Sequence, residues 1–357
     1  MRVLQTGLTG LALALLIPSP AAAWHKEGHM LVARVAWQQL TDSERANFTK
    51  ILKAHPHYDI YLAANRPKDL PEPEWVFVRA ATWSDWVRGP AVNGLSQDDA
   101  DQIRNTYHKS VWHYVDLPYV HPADTGKFNA GEIRKKILEP ELDPKGEPRH
   151  ALAALNQCMK QLKSTDAPDA DKAVTLCWLL HLVGDLHQPL HCTTLLASKD
   201  TFCPSFDSPQ GDRGGNLLAI KVKATDPAAM VLHFYWDALL FSDNPPFEKV
   251  DAVSKTLLTK FKRDQLPELA KTDFPAWAEE GLELAKTVVY KGDGCFLRAC
   301  PLFPDQKVDH KGLVHGLDAP VLPDGYQPAA EAVAARRMVL AGYRLADQLK
   351  LVLQPGK

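Results

Sequence analysis

Two stretches of the chain place a histidine and an aspartate four residues apart in otherwise apolar sequence. In the first, Leu179, Leu180, Leu182 and Val183 surround His181 and Asp185. A spacing of four brings both side chains to one face of a helix, and the apolar residues around the rest of its circumference require that helix to be buried. An imidazole and a carboxylate carried into an interior must either hydrogen-bond each other or hold a metal ion. Taken alone, the pair fits both. The second stretch, Val231 to Asp237, sets His233 and Asp237 at the same spacing among Leu232, Phe234, Tyr235 and Trp236. Repetition in a second apolar helix makes coincidence a poor explanation and turns the reading toward metal.

Other donors sit in similar surroundings. Asp85 lies between Trp83 and Trp86 with Arg88 just beyond, His113 lies between Trp112 and Tyr114, and His191 follows the point where the first helix should end. Imidazole and carboxylate donors without nearby thiolates suit zinc. None of the six cysteines has the Cys-x-x-Cys spacing of a zinc site. In a secreted chain they permit disulfides instead: Cys295 with Cys300, and Cys192 with Cys203, each close a short loop, while Cys158 and Cys177 fall in helical segments as a pair or as buried thiols.

The amino terminus carries the other informative pattern. Arg2, an apolar run from Leu8 to Ile17, and the small residues up to Ala23 read as a secretory signal peptide, residues 1–23. The run falls well short of the roughly 20 residues that span a bilayer, and no later segment spans one. Residues 24–357 are therefore expected in a periplasm or outside the cell. Cleavage would free the amine of Trp24. An amide nitrogen is no useful ligand, whereas a free α-amine (pKa about 7.7 to 8.0) is, and with its own carbonyl oxygen and His29 it would chelate a metal.

Residues 24–357 read as a single domain. With 45% hydrophobic and 24% charged residues the composition is that of an ordinary soluble globular protein. The formal charge is −2, with no basic run, so side-chain cations alone do not make a groove for nucleic acid. Helical periodicity dominates: Glu27 to Leu40, Ile133 to Leu138, His150 to Leu162, Ala173 to Leu186, Val250 to Lys262, Trp277 to Tyr290 and Glu331 to Leu353 space apolar residues at three and four. Thr41 and Glu44 form a capping box for a helix to about Lys53. Leu217 to Val222 is the best strand, and Asn65 to Glu74, Pro204 to Gly215 and Gly292 to Pro328 read as loops. The expected fold class is all-α.

At this point the residues carry a family pattern. Trp24, His29, Asp85, His113, His181, Asp185, His191, His233 and Asp237 resemble, in type and order, the zinc ligands of the S-one/P-one type nucleases, secreted single-strand nucleases and 3'-nucleotidases with three zinc ions. The resemblance runs from Trp24 to about Asp237, with Gly214-Gly215-Asn216 and the C-terminal helix in support. It implies a helical, phospholipase C-like fold around a trinuclear zinc cleft. Asp85, His113 and His181 would hold one ion and Trp24 with His29 a second, bridged by Asp185; His191, His233 and Asp237 would hold the third. The ions would lower the pKa of a water and neutralise phosphate charge during in-line attack. Arg88 would stabilise the transition state, Tyr114 would stack on a nucleobase, and Asp116 would hydrogen-bond its edge. The implied partners are single-stranded nucleic acid and 3'-nucleotides, without a membrane or an obligate protein partner. Phosphate would be anchored by the metals, since three zinc ions outweigh three ligand carboxylates.

Two stretches, Asn47 to Glu74 and Lys291 to Tyr326, look inserted relative to the fungal enzymes and would reshape the cleft. The nearest alternative is a zinc phospholipase C; the short step from Trp24 to His29, Asp237 rather than Glu at the third site, and Arg88 after Asp85 argue against it. A non-catalytic secreted protein stabilised by zinc would need closed sites without an open position. His187 reads as structural, and His25, His55, His57, His108, His121, His150, His310 and His315 as surface or loop positions.

Overall fold

The computed structural model describes residues 24–354 except 93, 242–244, 293–294 and 304, so the expected signal peptide lies outside the described residues. The fold is mainly α-helical. In order come α1 (Lys26–Gln38), α2 (Asp42–Leu52), α3 (Glu72–Ala80), α4 (Trp83–Trp86), α5 (Gln97–Tyr107), α6 (Ala130–Leu138), α7 (Ala151–Lys163), α8 (Asp169–Asp185), α9 (Leu232–Asp237), α10 (Phe247–Lys260), α11 (Phe274–Leu284) and α12 (Tyr326–Leu353). Eight short strands are interleaved among the described residues: β1 (Leu117–Val120), β2 (Thr193–Leu196), β3 (Leu218–Ile220), β4 (Ala228–Val231), β5 (Lys291–Gly292), β6 (Cys295–Phe296), β7 (Cys300–Pro301) and β8 (Leu313–His315).

Helix α8 is the central strut. Asp169 and Asp171 in its first turn favour the positive end of the helix dipole, and every residue from Leu176 to Asp185 is buried. Helices α1, α2, α3, α4, α7 and α12 pack around it, which is why its sequence is apolar on all sides rather than striped. Its buried leucines each contribute roughly 1.5–3 kcal/mol. The longest helix, α12, lies along α1, and Gly342 permits that approach: a Cβ there would sit 2.4 Å from Val35 Cγ1 and 2.9 Å from the Val32 carbonyl oxygen. Gly342→Leu is therefore expected to destabilise the fold by at least about 1–3 kcal/mol through overpacking. Urea unfolding checks this, and an unchanged midpoint would mean that the two helices separate without cost.

The strands matter for what they carry. Parallel pairing of β1 with β2 sets Leu117 opposite Thr193, and the Val115 N–H donates to the His191 carbonyl (2.8 Å), so the segments bearing His113 and His191 run side by side. The other main sheet has the order β7-β3-β4-β8, and β4 leads directly into α9, which bears His233 and Asp237. Strand β3 falls inside the expected Leu217 to Val222 run.

Several expectations need correction. Helix α3 starts at Glu72, within the segment read as a loop to Glu74, because Pro71 and Pro73 occupy helix-start positions where proline is tolerated. Helix α5 buries none of its residues, so no apolar period announced it; Ser96 caps it by accepting from the Asp99 N–H. The run from Trp277 to Tyr290 is not one α-helix, since α11 passes at Leu284 into a π-helical turn over Ala285–Val289. The Gly292 to Pro328 stretch is not all loop: it carries β6, β7 and β8.

Among the described residues no disulfide forms. The expected Cys192–Cys203 bridge is absent because Cys192 points into the core beneath Gly281 and donates to the Leu186 carbonyl (3.3 Å), while Cys203 is exposed. Cys158 and Cys177 are buried thiols. The Cys295 side chain, expected to pair with Cys300, lies outside the described residues.

Candidate metal centre

Asp185, the last residue of α8, is the hub. Its Oδ1 lies 3.2 Å from His29 Nε2, and its Oδ2 lies 3.0 Å from His113 Nδ1 and 3.2 Å from His181 Nε2. Asp85 closes the group from α4, with Oδ1 3.7 Å from His181 Nε2 and 4.0 Å from His113 Nδ1. The ring of His29 stacks on that of His181 with centroids 3.9 Å apart. Gly184 allows this crowding, because a Cβ there would stand 2.8 Å from His29 Nδ1. The same glycine's carbonyl accepts the indole N–H of Trp24 (3.0 Å), and the His25 N–H donates to the Asp237 carbonyl (3.0 Å). Trp24 is fully buried, and its ring and the backbone that follows are pinned between the two His–Asp helices.

A second group consists of His191, His233 and Asp237. Asp237 Oδ2 lies 3.3 Å from His233 Nε2, and Oδ1 lies 3.8 Å from His191 Nε2. The Gln188 amide donates to Asp237 Oδ1 (2.8 Å) and orients the carboxylate. His191 Nδ1–H donates to the His113 carbonyl (2.7 Å), and His233 Nδ1–H to the Gly214 carbonyl (2.7 Å). Gly214 adopts φ 62°, and a Cβ on it would lie 2.2 Å from the Leu190 carbonyl oxygen, so the turn that presents this acceptor requires glycine. In the first group, His181 Nδ1–H donates to the Ala81 carbonyl (2.8 Å). Backbone acceptors thus fix three imidazoles as the tautomer with a free Nε2 lone pair directed inward.

These contacts fit cations better than they fit one another. The Nε2 atoms of His191 and His233 are 3.1 Å apart, yet each ring has already committed its proton to a carbonyl, so two lone pairs face each other. Two nitrogen ligands of a tetrahedral zinc ion stand about 3.3 Å apart, given Zn–N of about 2.0–2.1 Å. Several buried atoms have no hydrogen-bond partner among the described residues: Asp85 Oδ1, Asp185 Oδ1, Asp237 Oδ2, both nitrogens of His29, and His113 Nε2. Leaving one such group unsatisfied costs about 1–3 kcal/mol, and a bound cation removes that cost. Burial lowers His113 and His233 to about 3, with Arg88 and His191 adding to the effect, so both rings are neutral donors at neutral pH. Burial pushes Asp237 well above the usual carboxylate range. It pushes Asp185 the same way, but the His181 charge and the contacts from His113, His181 and His29 prevail and hold Asp185 well below that range. Side chains within ligand reach of one another form three sets: His29, Asp85 and His181; His113, His181 and Asp185; His191, His233 and Asp237. All eight expected His and Asp donors are brought together.

The other expected site residues lie around this centre. Arg88 Nε stands 3.4 Å from Asp85 Oδ1, and these two side chains, 23% and 17% exposed, form its accessible edge. Tyr114 and Asp116 follow His113 but belong to none of the three donor sets. Burial raises the Tyr114 hydroxyl to about 12, and burial with the Asp212 charge raises Asp116 to about 7; Arg213 opposes both shifts. Sequence reasoning missed Arg213, and it missed the half-buried His25 and His108, whose titration responds to Asp85. Only the tertiary fold reveals these. His187 is structural as expected, donating to the Val183 carbonyl (2.7 Å) and receiving Arg344 at 3.0 Å.

His55, His57 and His150 are not surface residues but buried ones. His150 caps α7 by accepting from the Ala153 N–H (3.2 Å). His57 Nδ1 accepts the indole N–H of Trp83 (3.0 Å), and His55 Nδ1 accepts the His57 N–H (3.0 Å). Tyr61 stacks on Trp86 with centroids 4.4 Å apart. The Asn47 to Glu74 stretch therefore buttresses α4, and with it Asp85, from behind. Burial, with His57 adding, lowers His55 to about 3, and burial lowers His57 to about 4. In the unfolded chain both titrate near 6.5. Their contribution to stability is then complete above pH 6.5 and declines as acidification protonates the unfolded state first. The stability of the wild-type protein should fall between pH 6.5 and 4 more steeply than that of His55→Asn, whose amide oxygen still accepts the His57 N–H, by up to about 1.4 kcal/mol per pH unit. Urea titrations at several pH values measure the two slopes, and identical slopes would contradict a neutral buried His55.

Comparison with known proteins agrees with this geometry. A search of curated proteins gives no match. The chain does match the family described as S1/P1 Nuclease over residues 24–354, nearly its whole length and the same span that builds the donor sets. This protein belongs to the S1/P1 nuclease family, hydrolases that act on nucleic acids.

Proposed function

We propose that the chain is cleaved after Ala23, exported to a periplasm or beyond, and loaded with three zinc ions, and that it cuts single-stranded DNA and RNA to 5'-phosphate ends and also acts on 3'-nucleotides. The observation that carries this reading is the position of Asp185 within 3.2 Å of three imidazoles, beside a separate His191, His233 and Asp237 set. Asp85, His113, His181 and Asp185 would hold one ion, the Trp24 amine and carbonyl with His29 and Asp185 a second, and His191, His233 and Asp237 the third. Zinc bound there supplies a nucleophile at neutral pH and neutralises charge on the phosphate and leaving oxygen. The chain's own residues do the rest. Arg88, beside Asp85 at the open edge, binds the phosphate through its planar fork as charge builds. Tyr114 offers a face for a base, worth roughly 1–3 kcal/mol, and Asp116 a hydrogen bond to the base edge. Stacking needs an unpaired base, which favours single strands.

The test is an assay of the processed protein on denatured DNA, RNA, duplex DNA, a 3'-nucleotide and phosphatidylcholine. Cleavage of the single strands with 5'-phosphate ends supports the proposal. Lecithin turnover without nucleic-acid cleavage would overturn it in favour of a phospholipase, and no turnover of any substrate would favour a zinc-stabilised binding protein. Asp85→Asn should cut turnover more than about 100-fold while the helical circular dichroism persists, since it removes a donor at the open edge. Full activity in that variant would remove Asp85 from the site.

A further inference from the structure

The turn from Gly211 to Gly215 carries a side chain where the backbone favours none. Four of its residues have positive φ; three are the glycines Gly211, Gly214 and Gly215, and the fourth is Arg213 at φ 55°. A residue with a Cβ is strained there, and such strain persists only where the surroundings impose it. Here they do. The buried Asp212 carboxylate accepts from the Leu195 N–H (2.8 Å), the Gly215 N–H (3.0 Å) and the Tyr290 hydroxyl (2.7 Å), and the Arg213 carbonyl accepts from the Asn216 amide (2.8 Å). The Arg213 side chain itself is exposed, and its partner among the described residues is the neutral Gln210 amide oxygen (3.0 Å) rather than a carboxylate.

The place of the turn gives this cation a use. The Gly214 carbonyl fixes His233, and a Cβ on Gly214 would stand 3.2 Å from the Thr193 carbonyl oxygen. Thr193 is paired in register with Leu117, the neighbour of Asp116. The backbone of Arg213 therefore lies where the His191, His233 and Asp237 set meets the segment bearing Tyr114 and Asp116. Burial raises both Tyr114 and Asp116, and the Arg213 charge opposes both shifts, as a guanidinium facing that segment does.

We infer that Arg213 binds the strand phosphate one step to the 5' side of the scissile one, and so makes the enzyme prefer a nucleoside that carries a 5'-phosphate. The inference rests on the zinc nuclease reading above. For one base position to serve both strands and 3'-nucleotides, its base must belong to the nucleoside that bears the 3'-oxygen. The phosphate on that oxygen is taken by the metals and Arg88, and the next anion on the same nucleoside is its 5'-phosphate. An arginine fork matches phosphate oxygens and keeps its charge at every working pH. The chain has a formal charge of −2 and no basic run, so a cation held beside the base position by a strained turn is the chain's own contact for the strand backbone.

Two dinucleotides isolate this contact: a dinucleoside monophosphate, which has the scissile phosphate alone, and the same molecule with a 5'-phosphate. The zinc-loaded wild-type protein should favour the 5'-phosphorylated form about tenfold in kcat/KM at low salt, the scale of one charge-assisted hydrogen-bonded contact. That preference should shrink as salt screens it. Arg213→Asn should bring the ratio of the two kcat/KM values close to one. Asparagine tolerates a positive φ, so the turn and the Tm should be kept, and Arg213→Gly, which the same φ favours, should give the same ratio. A merely structural role would slow both dinucleotides alike and leave the ratio as it was. A ratio unchanged in both variants, or a wild-type ratio near one, would overturn the inference and leave the metal reading intact. Cleavage of neither dinucleotide by the wild-type protein would overturn that reading and the inference with it.

Discussion

Asp185→Asn is expected to abolish hydrolysis and to lose more than one equivalent of bound zinc. Among the described residues no other side chain in the centre stands within 3.2 Å of three imidazoles, and Asp185 does so through both oxygens, Oδ1 toward His29 and Oδ2 toward His113 and His181. An asparagine keeps the shape and one acceptor but loses the charge and the second donor oxygen. Substitutions one layer out from a metal typically cost 10–100-fold, so removing a ligand that serves two positions should cost more than about 100-fold in kcat/KM. The fold should also lose the stabilisation that bound metal provides, so its Tm should move toward that of wild-type protein stripped by chelator. Zinc counting with thermal unfolding checks both. A variant with full zinc content and reduced activity would place Asp185 outside the metal shell.

The second large effect concerns processing. A protein that keeps residues before Trp24 should bind less zinc and be nearly inactive, and cleavage at Ala23 should restore both. The structure holds Trp24 against the centre: its indole N–H donates to the Gly184 carbonyl at 3.0 Å, one residue from Asp185, while the His25 N–H donates to the Asp237 carbonyl. The backbone nitrogen of Trp24 can be a ligand only as a free amine, since an amide lone pair is delocalised into its carbonyl. Cleavage would then act as an activation step. Zinc content and turnover measured before and after specific proteolysis decide it, and equal values in both forms would refute the terminal amine as a ligand.

Much of the centre was legible in the sequence because helical spacing does the geometric work. His181 with Asp185, and His233 with Asp237, share a face whatever surrounds them. The apolar residues of α8 announced its burial, and so announced that its polar pair needed partners. What spacing does not encode is the meeting of distant segments. The stacking of His29 on His181, the Trp83–His57 hydrogen bond and the proximity of Arg213 to Asp116 depend on tertiary packing. Helix α5 escaped notice because it buries nothing, and α3 because prolines at its start read as loop. The cysteine expectation failed for a similar reason: short loop spacing between Cys192 and Cys203 says nothing about which way each thiol points, and Cys192 points into the core.

The most direct test of the central claim is elemental analysis of the processed, purified protein after exhaustive dialysis against metal-free buffer. Three zinc ions per chain, released by chelator with loss of nuclease activity and regained with it, is the predicted result. A chain that retains no zinc, or that cleaves nucleic acid equally well without it, would contradict the account.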